Sequence, residues 1–123
     1  MSLVPQESKK DSFYYFIYVV CTYKNKDIKE CLYYIDLCMQ NEDYESFNTR
    51  YCRLIKNAIK YGENYRFEKQ AKTIYNRLVG NKEYSNARFI ALQLYEHFKE
   101  LNEIHMAKIW YWLYTNEEMI KIK

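Results

Sequence analysis

Residues 82–100 read KEYSNARFIALQLYEHFKE. Tyr84, Ala87, Ala91, Leu94, Tyr95 and Phe98 recur there at the i, i+3, i+4, i+7 spacing that places side chains on one face of an α-helix. Gly80-Asn81, just upstream, is the strongest turn signal in the chain. The spacing predicts a helix over 82–100, and the same pattern extends in both directions. Downstream, Leu101-Asn102-Glu103 marks a brief turn. A helix over 103–115 then carries Ile104, Ala107, Ile109, Trp110, Tyr111, Leu113 and Tyr114, apolar nearly all round. Thr115-Asn116-Glu117 either ends it or lets it continue through Met119 and Ile122.

Upstream, Phe67, Ala71, Ile74, Tyr75 and Leu78 predict a helix over 64–79 with Asn64 as its cap, and Gly62 is placed for a left-handed C-cap of the helix before. That helix, 43–61, runs through Phe47, Tyr51, Leu54, Ile55, Ala58 and Ile59. Another, 27–41, aligns Ile28, Cys31, Leu32, Ile35, Cys38 and Met39, and Asn41-Glu42-Asp43 ends it. Ser12 is the expected N-cap of a first helix reaching Lys24. Residues 1–11, which hold the only proline, read as a disordered tail ahead of a single helical domain over 12–123. The short connections make successive helices antiparallel neighbours. The expectation is therefore all-α: six helices in three hairpins, 12–41, 43–79 and 82–115, with a compact helical bundle as the alternative.

Composition agrees with this. Two glycines and one proline in 123 residues are too few for the turns of a sheet-rich domain. Fifteen tyrosines supply large apolar area with polar tips, suited to half-buried faces and contact surfaces, although an AT-rich coding sequence enriches Tyr, Lys and Asn as well. Cys21, Cys31, Cys38 and Cys52 form no C-x₂-C pair, so neither a zinc site nor a disulfide framework is expected. They read as free buried thiols in a reducing, cytoplasmic setting. The apolar run Phe13–Cys21 lacks a small-residue cleavage site and is far shorter than a membrane span, so it reads as core rather than as leader or anchor.

A repeat is visible between the later helices. Ala71-Lys72-Thr73-Ile74-Tyr75 matches Ala107-Lys108-Ile109-Trp110-Tyr111 at a separation of 36 residues. A small residue followed four positions on by an aromatic lets two helices approach while the ring fills space toward the next hairpin. The pattern resembles the second helix of tetratricopeptide and Sel-type repeats, most closely over 84–114, where Ala87, Tyr95, Ile104 and Ala107-x-x-Trp110-Tyr111 fall at the expected spacings. The match is moderate over 58–80 and weakest in the first hairpin. The chain departs from the family in lacking a small residue near 92–94, in placing Asn102 where the hairpin turn has glycine, and in closing no repeat with proline. The resemblance implies a short α-α superhelix that binds a peptide or partner protein in its groove.

No pattern of residues carries a reaction. His97 and His105 flank a predicted turn with no carboxylate or cysteine at metal spacing and read as surface or boundary residues. The adjacent acids Glu117-Glu118 and Glu42-Asp43 diverge on a helix, so they do not form a general acid–base couple. No catalytic, cofactor or metal residue is expected, and the chain does not read as an enzyme. Charge is informative. Residues 47–90 hold ten basic residues against three acids, whereas the remainder holds nine against thirteen. Arg53, Lys56, Lys60, Arg66, Lys69 and Arg77, interleaved with Tyr61 and Tyr65, have the composition of a phosphate-tracking surface. A solvated face that meets an acidic protein or a second copy of the chain in a homo-oligomer is the reading that ranks ahead of it. The sequence therefore predicts a protein–protein interaction module: an adaptor, an accessory subunit or a small inhibitor of viral or mobile-element type. Tyr51, Arg53, Lys60, Arg88 and Tyr95 would contact the partner. A small nucleic-acid-binding protein using 47–90 is the alternative.

Overall fold

The computed structural model describes residues 8–40, 46–62 and 66–122, with side chains for 14–40, 46–62 and 66–121. Seven helices and no strand are present among them: α1 (Ser8–Lys24), α2 (Ile28–Gln40), α3 (Phe47–Tyr61), α4 (Phe67–Gly80), α5 (Tyr84–Glu100), α6 (Ile104–Thr115) and α7 (Glu117–Ile122). The fold is all-α. The chain divides into two compact units, Met1–Tyr65 and Arg66–Lys123. The hairpin predicted over 43–79 thus has one helix in each unit. The expected cap Asn64, the residue Tyr65 and the terminator Asn41-Glu42-Asp43 lie outside the described residues.

Within the first unit α1 and α2 form a hairpin, and α3 packs on both. Cys31, Ile35 and Cys38 of α2 are buried, as the stripe predicts. Phe16 of α1 meets Tyr51 of α3 edge-on at 5.3 Å between ring centroids, and Phe47 tilts against Phe16 at 5.7 Å. Helix α1 starts at Ser8, so Ser12 lies inside it and does not cap it. Lysine is a good helix former, so Lys9 and Lys10 extend the helix upstream. Helix α3 starts later than predicted. Ser46 caps it, its hydroxyl accepting from the Thr49 amide at 3.1 Å.

In the second unit α5 lies between α4 and α6, and α7 returns to cover α5 and α6. Its Ala87, Ile90, Ala91, Leu94 and Phe98 are buried, with Gln93 and His97 beside them. His97 is therefore no surface residue: its ring packs at 4.8 Å on Phe67 and at 5.2 Å on Phe98. Tyr75 of α4 meets Trp110 of α6 edge-on at 5.0 Å. Asn116 breaks the chain between α6 and α7, its side-chain amide donating to the Trp112 carbonyl at 2.9 Å, and Ile120 of α7 is fully buried.

One turn closes three of these helix pairs. At Asn25-Lys26-Asp27, Asn81-Lys82-Glu83 and Leu101-Asn102-Glu103 the middle residue is left-handed, with φ of 64°, 63° and 61°. The acid after it donates its amide to the carbonyl five residues back (Thr22, Leu78, Phe98) at 2.8–2.9 Å, and the middle residue donates to Tyr23, Val79 or Lys99. These are the paired bonds of a Schellman motif, here built on lysine or asparagine where glycine is usual. The acid's own carbonyl then opens the next helix by accepting from Cys31, Ala87 or Ala107. Its negative charge also suits the positive end of that helix. Arg66, the fourth left-handed residue, stands directly before α4 with φ 63°. Five residues after each of the four comes a small buried side chain: Cys31, Ala71, Ala87 and Ala107. The left-handed residue at the 80–83 turn is thus Lys82, while Gly80 ends α4. Gly62 does have positive φ, 93°, but its ψ of 144° puts it outside the left-handed helical region predicted for it.

Candidate interaction surfaces

Three surfaces stand out. The first lies on α1. Only Phe16, Val19 and Thr22 of its described side chains are buried, whereas Tyr14 (57% exposed), Ile17, Tyr18 and Cys21 face outward at i, i+3, i+4, i+7. The reading of Phe13–Cys21 as core holds for one side of the helix only, and Cys21 is not a buried thiol. The stripe continues onto α2 through stacked tyrosines: Tyr18 on Tyr34 at 4.8 Å, Tyr15 on Tyr34 at 6.3 Å, and Tyr33 edge-on to Tyr34 at 5.2 Å. Tyr33 is 61% exposed. Desolvation holds the Tyr34 phenol above its ordinary value, and the Glu30 carboxylate and the neighbouring tyrosines add to it.

The second surface is the outer side of α6. A helix apolar nearly all round can bury only the side facing its neighbours. Ala107 and Trp110 are buried, while Ile104, Ile109, Tyr111 and Trp112 remain exposed, Trp112 by half. His105 and Lys108 share that side. Tyr111 leans on Tyr95 at 5.0 Å and on Tyr114 at 6.1 Å. Arg88 fixes the end of the helix: its Nε donates to the Tyr114 carbonyl at 3.0 Å, its guanidinium lies 5.6 Å from the Tyr114 ring, and one terminal nitrogen is 3.6 Å from Glu117.

The third is the basic side of α3, where Arg53, Lys56 and Lys60 share a stripe, Lys60 lying over the exposed Tyr61 ring at 5.2 Å. Arg66, Lys69 and Arg77 are exposed in the second unit, so the predicted basic surface is divided between the two units. Among the predicted partner contacts, Tyr51 is fully buried and has no accessible ring to offer. Arg88 is engaged within its own unit, Tyr95 and Arg53 are half-buried, and Lys60 is exposed. Sequence reasoning missed Tyr14, Ile17, Tyr18 and Tyr33 on the first hairpin, and Ile104, Ile109 and Trp112 on α6. The available signal was apolar content on more faces than one helix can bury.

No group of His, Cys, Asp or Glu among the described residues is arranged to hold a metal ion, and no helix among them is long and apolar enough to cross a membrane. No family model matches the sequence, and comparison with curated proteins and with solved structures returns no match.

Proposed function

We propose that this chain is a non-enzymatic protein–protein interaction module of tetratricopeptide-like hairpins, acting in the cytoplasm as an adaptor, an accessory subunit or a small inhibitor. The observation that carries the reading is the outer side of α6. Ile104, Ile109, Tyr111 and Trp112 keep large apolar side chains in water on a helix whose other side is packed. Aromatic anchors of this kind contribute most of the binding energy at protein interfaces. The recurrence of a left-handed residue five positions before a small buried one supports a repeat-like construction. A photo-crosslinking residue at position 109 or 112, introduced in cells that make the protein, is expected to give one discrete adduct. The same probe at Thr73, exposed on α4, should give none. Trp112→Asp should abolish the adduct formed from position 109, and equal labelling from all three positions would sink the reading.

A second reading has one observation in its favour, the basic stripe of α3 beside the exposed Tyr61. Nucleic-acid binding by such a surface weakens steeply with salt. Binding at low salt that is lost with Lys56→Glu and Lys60→Glu together would establish it in place of the first.

A further inference from the structure

The outward stripe of α1 fits a second copy of itself, and we propose that the chain forms a homodimer through antiparallel packing of α1 on α1. The inference stands apart from the partner assigned to α6 and fails separately from it.

The four exposed positions Tyr14, Ile17, Tyr18 and Cys21 carry no charge, so facing copies bring no like charges together at the centre of the contact. A two-fold axis between positions 17 and 18 pairs residues whose numbers sum to 35. Tyr14 then meets Cys21 of the second copy, a tyrosine against the smallest side chain of the stripe. Ile17 meets Tyr18. The alignment is thus complementary in size and free of like charges at its centre, as an isologous contact requires.

Area sets the strength. An aromatic side chain carries about 150–250 Å², so Tyr14, Tyr18 and Tyr33, each exposed by roughly half, present about 300 Å² together. Ile17 and the edges of Tyr15 and Tyr34 extend the patch to the size that monomers seldom leave uncovered. Doubled across the two-fold, this comes to about 1,000 Å², the low end of interface sizes, where contacts are weak and reversible.

Sedimentation of the full chain over a dilution series tests the proposal. The expected result is a reversible monomer–dimer equilibrium with a midpoint below millimolar concentration. Ile17→Asp, at an exposed position, should shift that midpoint by about 100-fold or more toward monomer, with helical ellipticity unchanged. Trp112→Asp should leave it in place. Register is read by mild oxidation. In Tyr14→Cys the new thiol should form an intermolecular disulfide with Cys21, and Cys21→Ala in that background should remove it. Wild-type Cys21 should give none, because the two copies of it lie about 10 Å apart along the pair. A chain that is monomeric to millimolar concentration overturns the proposal. So does a dimer that survives Ile17→Asp, or one whose wild-type Cys21 crosslinks while Tyr14→Cys does not.

Discussion

In the α5–α6 hairpin the first helix is the buried one: Ala87, Ala91 and Leu94 are wholly enclosed, and the exposed apolar side chains sit on the second. In α1–α2 the exposed stripe lies on the first helix instead, with Tyr33 of α2 beside it. Helix α2 carries the enclosed Cys31, Ile35 and Cys38, while α1 turns Tyr14, Ile17 and Tyr18 to solvent. Both hairpins are closed by the same turn, so the difference does not arise there. It arises from neighbours. Helix α5 has α4 on one side and α6 on the other, whereas among the described residues of its unit no helix lies against the outward stripe of α1. A helix apolar on several faces becomes core when it is flanked and becomes surface when it stands at an edge.

The comparison predicts opposite responses to the same kind of truncation. Leu94→Ala should cost about 2–5 kcal/mol in urea unfolding, because it leaves a cavity in α5. Ile17→Ala on α1 should change monomer stability by no more than about 0.5 kcal/mol, as a surface substitution does. Equal losses would mean that α1 is packed as α5 is. A smaller effect concerns the shared turn. Lys82→Gly relieves a left-handed β-carbon and should stabilise the chain by up to about 1 kcal/mol, and Lys26→Gly likewise. Asn102→Gly should yield less, because asparagine tolerates the conformation.

The last test is a slope with pH. Burial pushes the Cys31 thiol above its ordinary 9.0, the Thr22 hydroxyl opposing in part, and burial raises the Tyr75 phenol above 10.0. Both groups hold their protons longer when folded. Stability is therefore unaffected by them at neutral pH and falls once the unfolded chain begins to ionise. The fall should begin near pH 9 through Cys31 in the first unit and steepen near pH 10 through Tyr75 in the second and the more exposed Tyr34 in the first, read as urea midpoints at each pH. Cys31→Ala should remove the earlier part.

The sequence made α2, α3 and α5 legible because their apolar residues recur on one face and their polar residues fill the other. Cys31, Ile35 and Cys38, or Ala87, Ala91 and Leu94, could be named as core from spacing alone. Helices α1 and α6 were legible as helices but not as surfaces: a uniform apolar run does not say which side has a neighbour, so Tyr14 read as core and the apolar residues of α6 were assigned to no side. Tyr51 failed in the other direction, its polar tip suggesting exposure where Phe16 and Phe47 enclose its ring. The turns were located, but the one between α4 and α5 was assigned to Gly80-Asn81 rather than to Lys82. Lys26 and Lys82 carry no local mark of a left-handed backbone; what marks them, as it marks Asn102, is the acid that follows and the small residue five positions on. No spacing rule foretold the division near residue 65, which follows from which helices α3 and α4 choose to pack against.

Those turns also bear on how quickly the chain reaches its fold. Every hydrogen bond that closes them joins residues no more than five apart. Each reversal can form before any distant part of the chain has been found, so little loop-closure entropy is spent in bringing two helices side by side. Helical proteins dominated by such near-neighbour contacts fold in microseconds to milliseconds. The α1–α2 and α5–α6 hairpins are accordingly the pieces expected to assemble first, each around its own reversal.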